Sequence, residues 1–146
     1  DIDYAMMATK LSQRPIRMIP MSTKQVDAEG TIWFLSGKDS DHNQHIASDP
    51  ALHLIYTDTS DMQFLNVYGT ATITTDKAKL KELYSSTDDN WFDGVDDPNL
   101  TAIGVAPETA FYWDPKNSKL VTLLKMGVGA ITGDQPKLMD QGKLTP

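Results

Sequence analysis

Three histidines, a run of carboxylates and a handful of cations and hydroxyls are the side chains here that could do chemistry, and no cysteine accompanies them. His42 and His45 are spaced to share one face of a helix, with His53 on the segment that follows. Two imidazoles so placed can begin a metal site, but a catalytic zinc centre needs a third ligand of fitting geometry, and none is apparent. A solvated helix face is the expected reading, and no metal is expected. The acidic stretch from Asp88 to Pro98 invites a calcium loop. With Gly94 at the glycine place of an EF-hand, Asp89 and Asp93 fall on ligand positions, but Trp91 and Leu100 occupy two others, and the pattern fails. The expectation is a surface loop pinned by burial of Trp91 and Phe92. No serine, histidine and acid fall into a nucleophile-elbow pattern, and no glycine-rich phosphate loop is present. What remains suits a flat aromatic anion. Arg17 lies on a proline-containing strand, and Ser36, Lys38 and Ser40 lie where a strand runs into a helix N-terminus, whose free N–H groups and partial positive charge favour phosphate. The plainer alternative makes Lys38 a surface lysine and Ser40 only a helix cap.

The elements that would position these residues can be read from periodicity. Residues 16–21 form the first convincing strand and 31–35 the next, joined as a hairpin with Gly30 at its turn. Pro20 donates no ladder hydrogen bond, so its strand should lie at an edge, at a bulge, or beside something other than a strand. Asp39 or Ser40 caps a helix through His42, His45 and Ile46, which Asp49-Pro50 stops. Strands follow over 51–57 and 63–75, the second broken at Gly69 by a bulge or barrel bend. Thr75 or Asp76 caps a helix over 77–84, a strand runs from Thr101 to Trp113, and the apolar stretch 120–131 reads as helix or strand. The sum is a mainly β (α+β) fold, a six-stranded antiparallel barrel with peripheral helices. Such a small barrel fills its interior with side chains, so a ligand belongs outside it or at a subunit interface.

A length of 146 residues with 40% hydrophobic and 23% charged side chains fits one globular domain over 1–146. The net charge of −7 and the lack of any basic block exclude nucleic acid and disfavour anionic membranes. No apolar run approaches the roughly 20 residues of a membrane span. A cytoplasmic protein is the expectation, although the first residue is Asp and not Met, which leaves silence about targeting provisional. The sequon at Asn99 reads as chance. Without cysteine, thiol redox chemistry is excluded, so any redox work requires a bound cofactor.

Five words in order carry a resemblance: Pro20-Met21-Ser22-Thr23; Gly30-Thr31-Ile32-Trp33-Phe34-Leu35-Ser36-Gly37-Lys38-Asp39-Ser40; Gly69-Thr70-Ala71; Trp91-Phe92-Asp93-Gly94-Val95-Asp96-Asp97-Pro98-Asn99-Leu100; and Phe111-Tyr112-Trp113-Asp114. Over nearly the whole chain the sequence resembles the general stress protein 26 branch of the pyridoxamine 5'-phosphate oxidase-like family. The resemblance implies an FMN-binding split β-barrel, FAD being the alternative flavin, that works as a homodimer with the cofactor at the subunit interface. The strand that usually reads Arg-Pro-Met in that family corresponds to Ile19-Pro20-Met21, so its Arg is absent and Arg17, on the same strand face, is the candidate substitute. Leu35, Ser36, Lys38 and Ser40 match the family's backbone and hydroxyl contacts. His42 replaces the expected Lys, Phe64 falls where related oxidases place a polar flavin contact, and Trp113 matches the Trp near the end of the last barrel strand. Ile19 and His42 thus remove two phosphate partners, which implies weak or pH-dependent flavin binding.

A flavin-binding stress protein with a redox or flavin-sequestering role is the leading expectation. A pyridoxamine phosphate oxidase is disfavoured, because that enzyme's C-terminal substrate segment with its His and Arg has no counterpart after Trp113, and Lys24, in a turn, is the only candidate for a substrate lysine. A flavin- or deazaflavin-dependent reductase on the same barrel and a cofactor-free interaction module are the alternatives. No general acid or base can be named, since the flavin carries the electron chemistry.

Overall fold

A computed structural model describes residues 4–113 and 141–144, and the sequence reading of 120–131, like that of the segment after Trp113, lies outside the described residues. In chain order the elements are β1 (Tyr4–Thr9), β2 (Arg17–Ser22), β3 (Gln25–Val26), β4 (Ile32–Gly37), α1 (Asp41–Ser48), β5 (Ala51–Asp58), β6 (Gln63–Thr74), α2 (Lys77–Leu83), a 3-10 helix (Ser86–Asn90), β7 (Leu100–Trp113) and β8 (Gln141–Leu144). All the strands join one antiparallel sheet in the order β2-β1-β5-β6-β7-β4-β3, with β8 also on β7. The sheet curls until its β2 edge approaches β4 without pairing to it. That unjoined seam is the split in the barrel.

Alternation along β4, β5 and β6, with a continuously buried start to β7, builds the interior. Phe34, Leu52, Leu54, Tyr56, Leu65, Val67, Ile103 and Val105 point inward and are fully buried, each such side chain contributing roughly 1.5 to 3 kcal/mol relative to exposure. Burial pushes the Tyr56 hydroxyl pKa well above its ordinary value, against a hydrogen bond of 2.7 Å to Thr23 that works the other way. A second cluster, Leu80, Leu83, Leu100 and Ala102, seats α2 against β7, with Trp33, Leu35 and Phe92 packed around it.

Both helices begin at the expected caps. Ser40 Oγ accepts from the Asn43 N–H at 3.2 Å, and Asp76 accepts from the Lys79 N–H at 3.1 Å. Gly30 takes the left-handed conformation at φ +84, which a glycine adopts without the Cβ penalty. The register of β6 on β7 shifts between Tyr68 and Gly69, as the glycine suggests, because a Cβ at Gly69 would stand 2.5 Å from the Ala106 carbonyl oxygen. Pro20 lies on an edge strand.

Three expectations are corrected. Among the described residues the sheet has eight strands and not six, because residues 4–9 and the short β3 and β8 join the five strands expected between residues 16 and 113. Residues 16–21 do not form a hairpin with 31–35. β2 pairs with β1, and the turn at Gly30 joins β4 to the two-residue β3, because β1 offers β2 a six-residue ladder. In the acidic loop Phe92 is partly buried, but Trp91 is 80% exposed, so only one of the two aromatics pins it.

The opposite face of the sheet is unusually apolar. Paired residues share a face, so the rows Pro20, Met6, Ile55, Asn66, Phe111 and Thr57, Phe64, Trp113 run across it away from the core. Tyr4, Met6, Phe111 and Trp113 on that face are exposed. No described helix is long and apolar enough to cross a membrane.

Candidate functional site

The seam between β2 and β4 opens into a groove of about 330 Å³, a size within the range of small-ligand sites. Pro20, Met21 and Ser22 form one wall, Leu35, Ser36 and Gly37 the other. His42 of α1, Tyr4 of β1, Lys24 and the loop residues Asp88, Trp91 and Phe92 complete it. The Lys24 N–H donates to the Trp33 carbonyl at 2.8 Å. Lys24 lies toward the start of β4, while Ser36, Gly37 and His42 lie toward its end and the start of α1.

The cations around the groove have carboxylate partners. Lys24 Nζ stands 2.7 Å from Asp88 Oδ2, both side chains being mostly buried, and Asp88 also accepts from the Ser85 N–H at 2.8 Å. Arg17 pairs with Asp41 at 3.3 Å at the surface, where such a pair is worth little. His42 has its Nε2 buried with no hydrogen-bond partner among the described residues. Burial lowers its pKa, with the neighbouring Asp41 carboxylate opposing that and His45 adding to it. His42 is therefore neutral near pH 7.

Behind Ser36 lies a buried polar cluster. Ser36 and Thr101 are paired across β4 and β7, and their hydroxyl oxygens are 2.7 Å apart. Thr101 donates to the Ser36 carbonyl at 3.0 Å, and the Asn43 side-chain amide donates to Thr101 Oγ1 at 2.9 Å. The turn into α1 is equally occupied. The Lys38 N–H donates to the Asn99 carbonyl at 2.7 Å, the Asp39 N–H to Asn99 Oδ1 at 3.2 Å, and the Ser40 N–H to the Gly37 carbonyl at 3.1 Å.

Of the residues expected from sequence, Pro20, Met21, Leu35, Ser36 and His42 meet at this groove. Ile19 packs against the core, Ser40 is the helix cap, and Lys38 does not line the groove. Arg17 lies beside it through Asp41, the neighbour of His42. Phe64 and Trp113 stand opposite one another on β6 and β7, on the outer apolar face. His45 Nδ1 lies 2.9 Å from Thr9 Oγ1, toward β1. Tyr4, Asp88 and Trp91 were not anticipated as groove residues, nor were Asn43 and Thr101 behind them. Only the folded register brings Ser36 to Thr101, and no spacing in the sequence signals it.

Comparison with known proteins bears on this geometry. A sequence model of the family described as pyridoxamine 5'-phosphate oxidase like matches residues 1–137. The chain is 32% identical over 82 residues to general stress protein 26 of Bacillus subtilis (strain 168), a match taking in 53% of this chain and 58% of that one, so the chain spans under two thirds of that relative's length. Among solved structures it is similar to a protein described as general stress protein 26 from Jannaschia sp. CCS1, with 27% identity, a TM-score of 0.72, and coverage of 99% of this chain and 91% of that chain. It shares its fold with the general stress FMN/FAD binding protein of Xanthomonas citri, at 21% identity and a TM-score of 0.68 over 80% of this chain and 83% of that chain.

Proposed function

Because the chain belongs to the pyridoxamine 5'-phosphate oxidase-like family, we propose that it is a flavin-binding stress protein that holds FMN, or FAD, in the groove between β2 and β4. The observation that carries this reading is the convergence of Pro20 and Met21 on one wall with Leu35, Ser36 and His42 on the other, five positions at which the family resemblance implies flavin contact. The Xanthomonas citri protein of the same fold is named for FMN/FAD binding, which supports the same cofactor here.

A bound flavin would supply hydride or single-electron chemistry through its ring. The chain's own part is to position it. Pro20 and Met21 offer a flat wall, and Leu35 with Phe92 excludes water. Ser36 and His42 would be the polar residues available to its tail. Residues 1–146 act as one domain in this reading, in the cytoplasm, as a homodimer. Tyr4 and Pro20 belong both to the groove and to the outer apolar face, so a second copy seated on that face would border the flavin, with Phe64 and Trp113 available to it. The role is redox or flavin sequestration, and a flavin- or deazaflavin-dependent reductase is the alternative on the same site.

Purified protein titrated with FMN and with FAD is the test. A yellow preparation, or saturable quenching of flavin fluorescence, is the expected outcome. A colourless protein that ignores both flavins overturns the reading and leaves an interaction module.

A further inference from the structure

We propose that Trp91 is a flavin contact, its indole stacking on the isoalloxazine ring of a flavin seated in the groove between β2 and β4. The inference rests on the flavin reading above and deepens it by giving the acidic loop a part in recognition.

The fold treats the two neighbouring aromatics of that loop differently. Phe92 packs with Leu35 and Trp33 around the cluster that seats α2. Trp91 borders the groove and keeps 80% of its surface exposed, more than any other exposed large hydrophobic residue among those described. An indole left in water beside a concave site still has its apolar area to bury, and a flat ring laid on it supplies that burial. The backbone beneath it is already held. The Trp91 and Phe92 N–H groups both donate to the Asp88 carbonyl, at 2.9 and 3.0 Å. Asp88 pairs in turn with Lys24 Nζ at 2.7 Å and accepts from the Ser85 N–H at 2.8 Å. This fastens the loop to the residues that line the groove, so a ligand has little backbone left to order.

Charge decides which part of the flavin meets this loop. Asp88, Asp89, Asp93, Asp96 and Asp97 all lie on it. Among the described residues the cations paired with them are Lys24 on Asp88 and Lys77 on Asp96, the latter at 3.6 Å. That excess of carboxylates disfavours a phosphate and is indifferent to an uncharged ring. The phosphate is left to the side of Ser36, Gly37 and His42, where α1 begins and its dipole favours an anion.

Dissociation constants for FMN and FAD, measured by flavin fluorescence on the full chain for wild type, Trp91→Ala and Trp91→Phe, test this. Trp91→Ala should weaken both flavins by about fivefold or more, and Trp91→Phe, which keeps a flat ring, should bind more tightly than Trp91→Ala. At saturation the bound flavin should fluoresce more strongly in both variants, since an indole in contact with the ring quenches it. The side chain is exposed, so both variants should keep the wild-type midpoint in urea; if Trp91→Ala does not fold, the emission of Trp91→Phe decides alone. A smaller loss for FMN in Trp91→Ala, a loss confined to FAD, or bound-flavin emission unchanged in the variants overturns the inference and leaves flavin binding intact. Wild-type protein that binds neither flavin removes both.

Discussion

His42 occupies the first turn of α1 with its Nε2 turned into protein and no acceptor or donor to meet it. Burial is the largest influence on its pKa and lowers it from 6.5, Asp41 raises it, and His45 lowers it; Lys24 and Asp88 line the same groove toward the start of β4, and Arg17 pairs with Asp41. In the unfolded chain the imidazole titrates near 6.5 and in the folded chain below that, so between the two values the unfolded state binds more protons. Stability attributable to His42 is therefore whole above 6.5 and is lost as the pH falls toward its folded value. Thermal midpoints from pH 8 to pH 5 should decline less for His42→Gln than for wild type, and parallel declines would remove His42 from the acid sensitivity. The same side chain illustrates what local reading can supply. Its place on a helix was legible from Ser40 and Asp49-Pro50, but its burial depends on how α1 packs on β6 and β1, which no local pattern encodes.

At the scale of elements, the caps and breaks were legible because they are local. Ser40, Asp76, Gly30 and Pro20 each act through their own backbone or through a side chain reaching a few residues along the chain. β1 was missed because Tyr-Ala-Met-Met-Ala-Thr has little of the β-branched composition that marks a strand, and its pairing with both β2 and β5 makes it one. Trp91 was expected inside because large aromatics usually are, yet the surface offered by α2 and β7 takes Phe92 alone. The loop is fastened instead by polar contacts. Tyr84 donates to Asp89 at 2.6 Å, which pushes the Tyr84 pKa up to about 12. The bulge at Gly69 yields a sharp expectation. Gly69→Ala places a Cβ against the Ala106 carbonyl, a backbone group that cannot step aside alone, and should cost about 1 to 3 kcal/mol in urea unfolding. A midpoint within error of wild type would show that the bulge relaxes freely.

At the scale of the molecule, two features need one another. The seam between β2 and β4 leaves the groove open, and the outer face beside it carries Tyr4, Met6, Phe111 and Trp113 toward solvent. Contiguous exposed apolar surface of this kind marks an interaction site. Under the homodimer reading, a second copy covers that face and borders the groove. Met6→Lys puts a charge at the middle of a strand row there and should convert a dimer to monomer in sedimentation velocity, with flavin affinity falling as well. A variant that remains dimeric would take this face out of the interface.

The sequence by itself determined the class of fold, the helix limits and the family, because alternation, capping and turn chemistry act over a few residues and the family's words survive in order. It also excluded thiol chemistry and a basic surface outright. The polarity of the site was decided only by tertiary structure. Whether Ser36 can donate to a ligand depends on Thr101 and Asn43, far along the chain, and whether Lys24 is a free charge depends on Asp88. Protons and ion pairs are shared between neighbours in space, and the register of β4 on β7 chooses those neighbours.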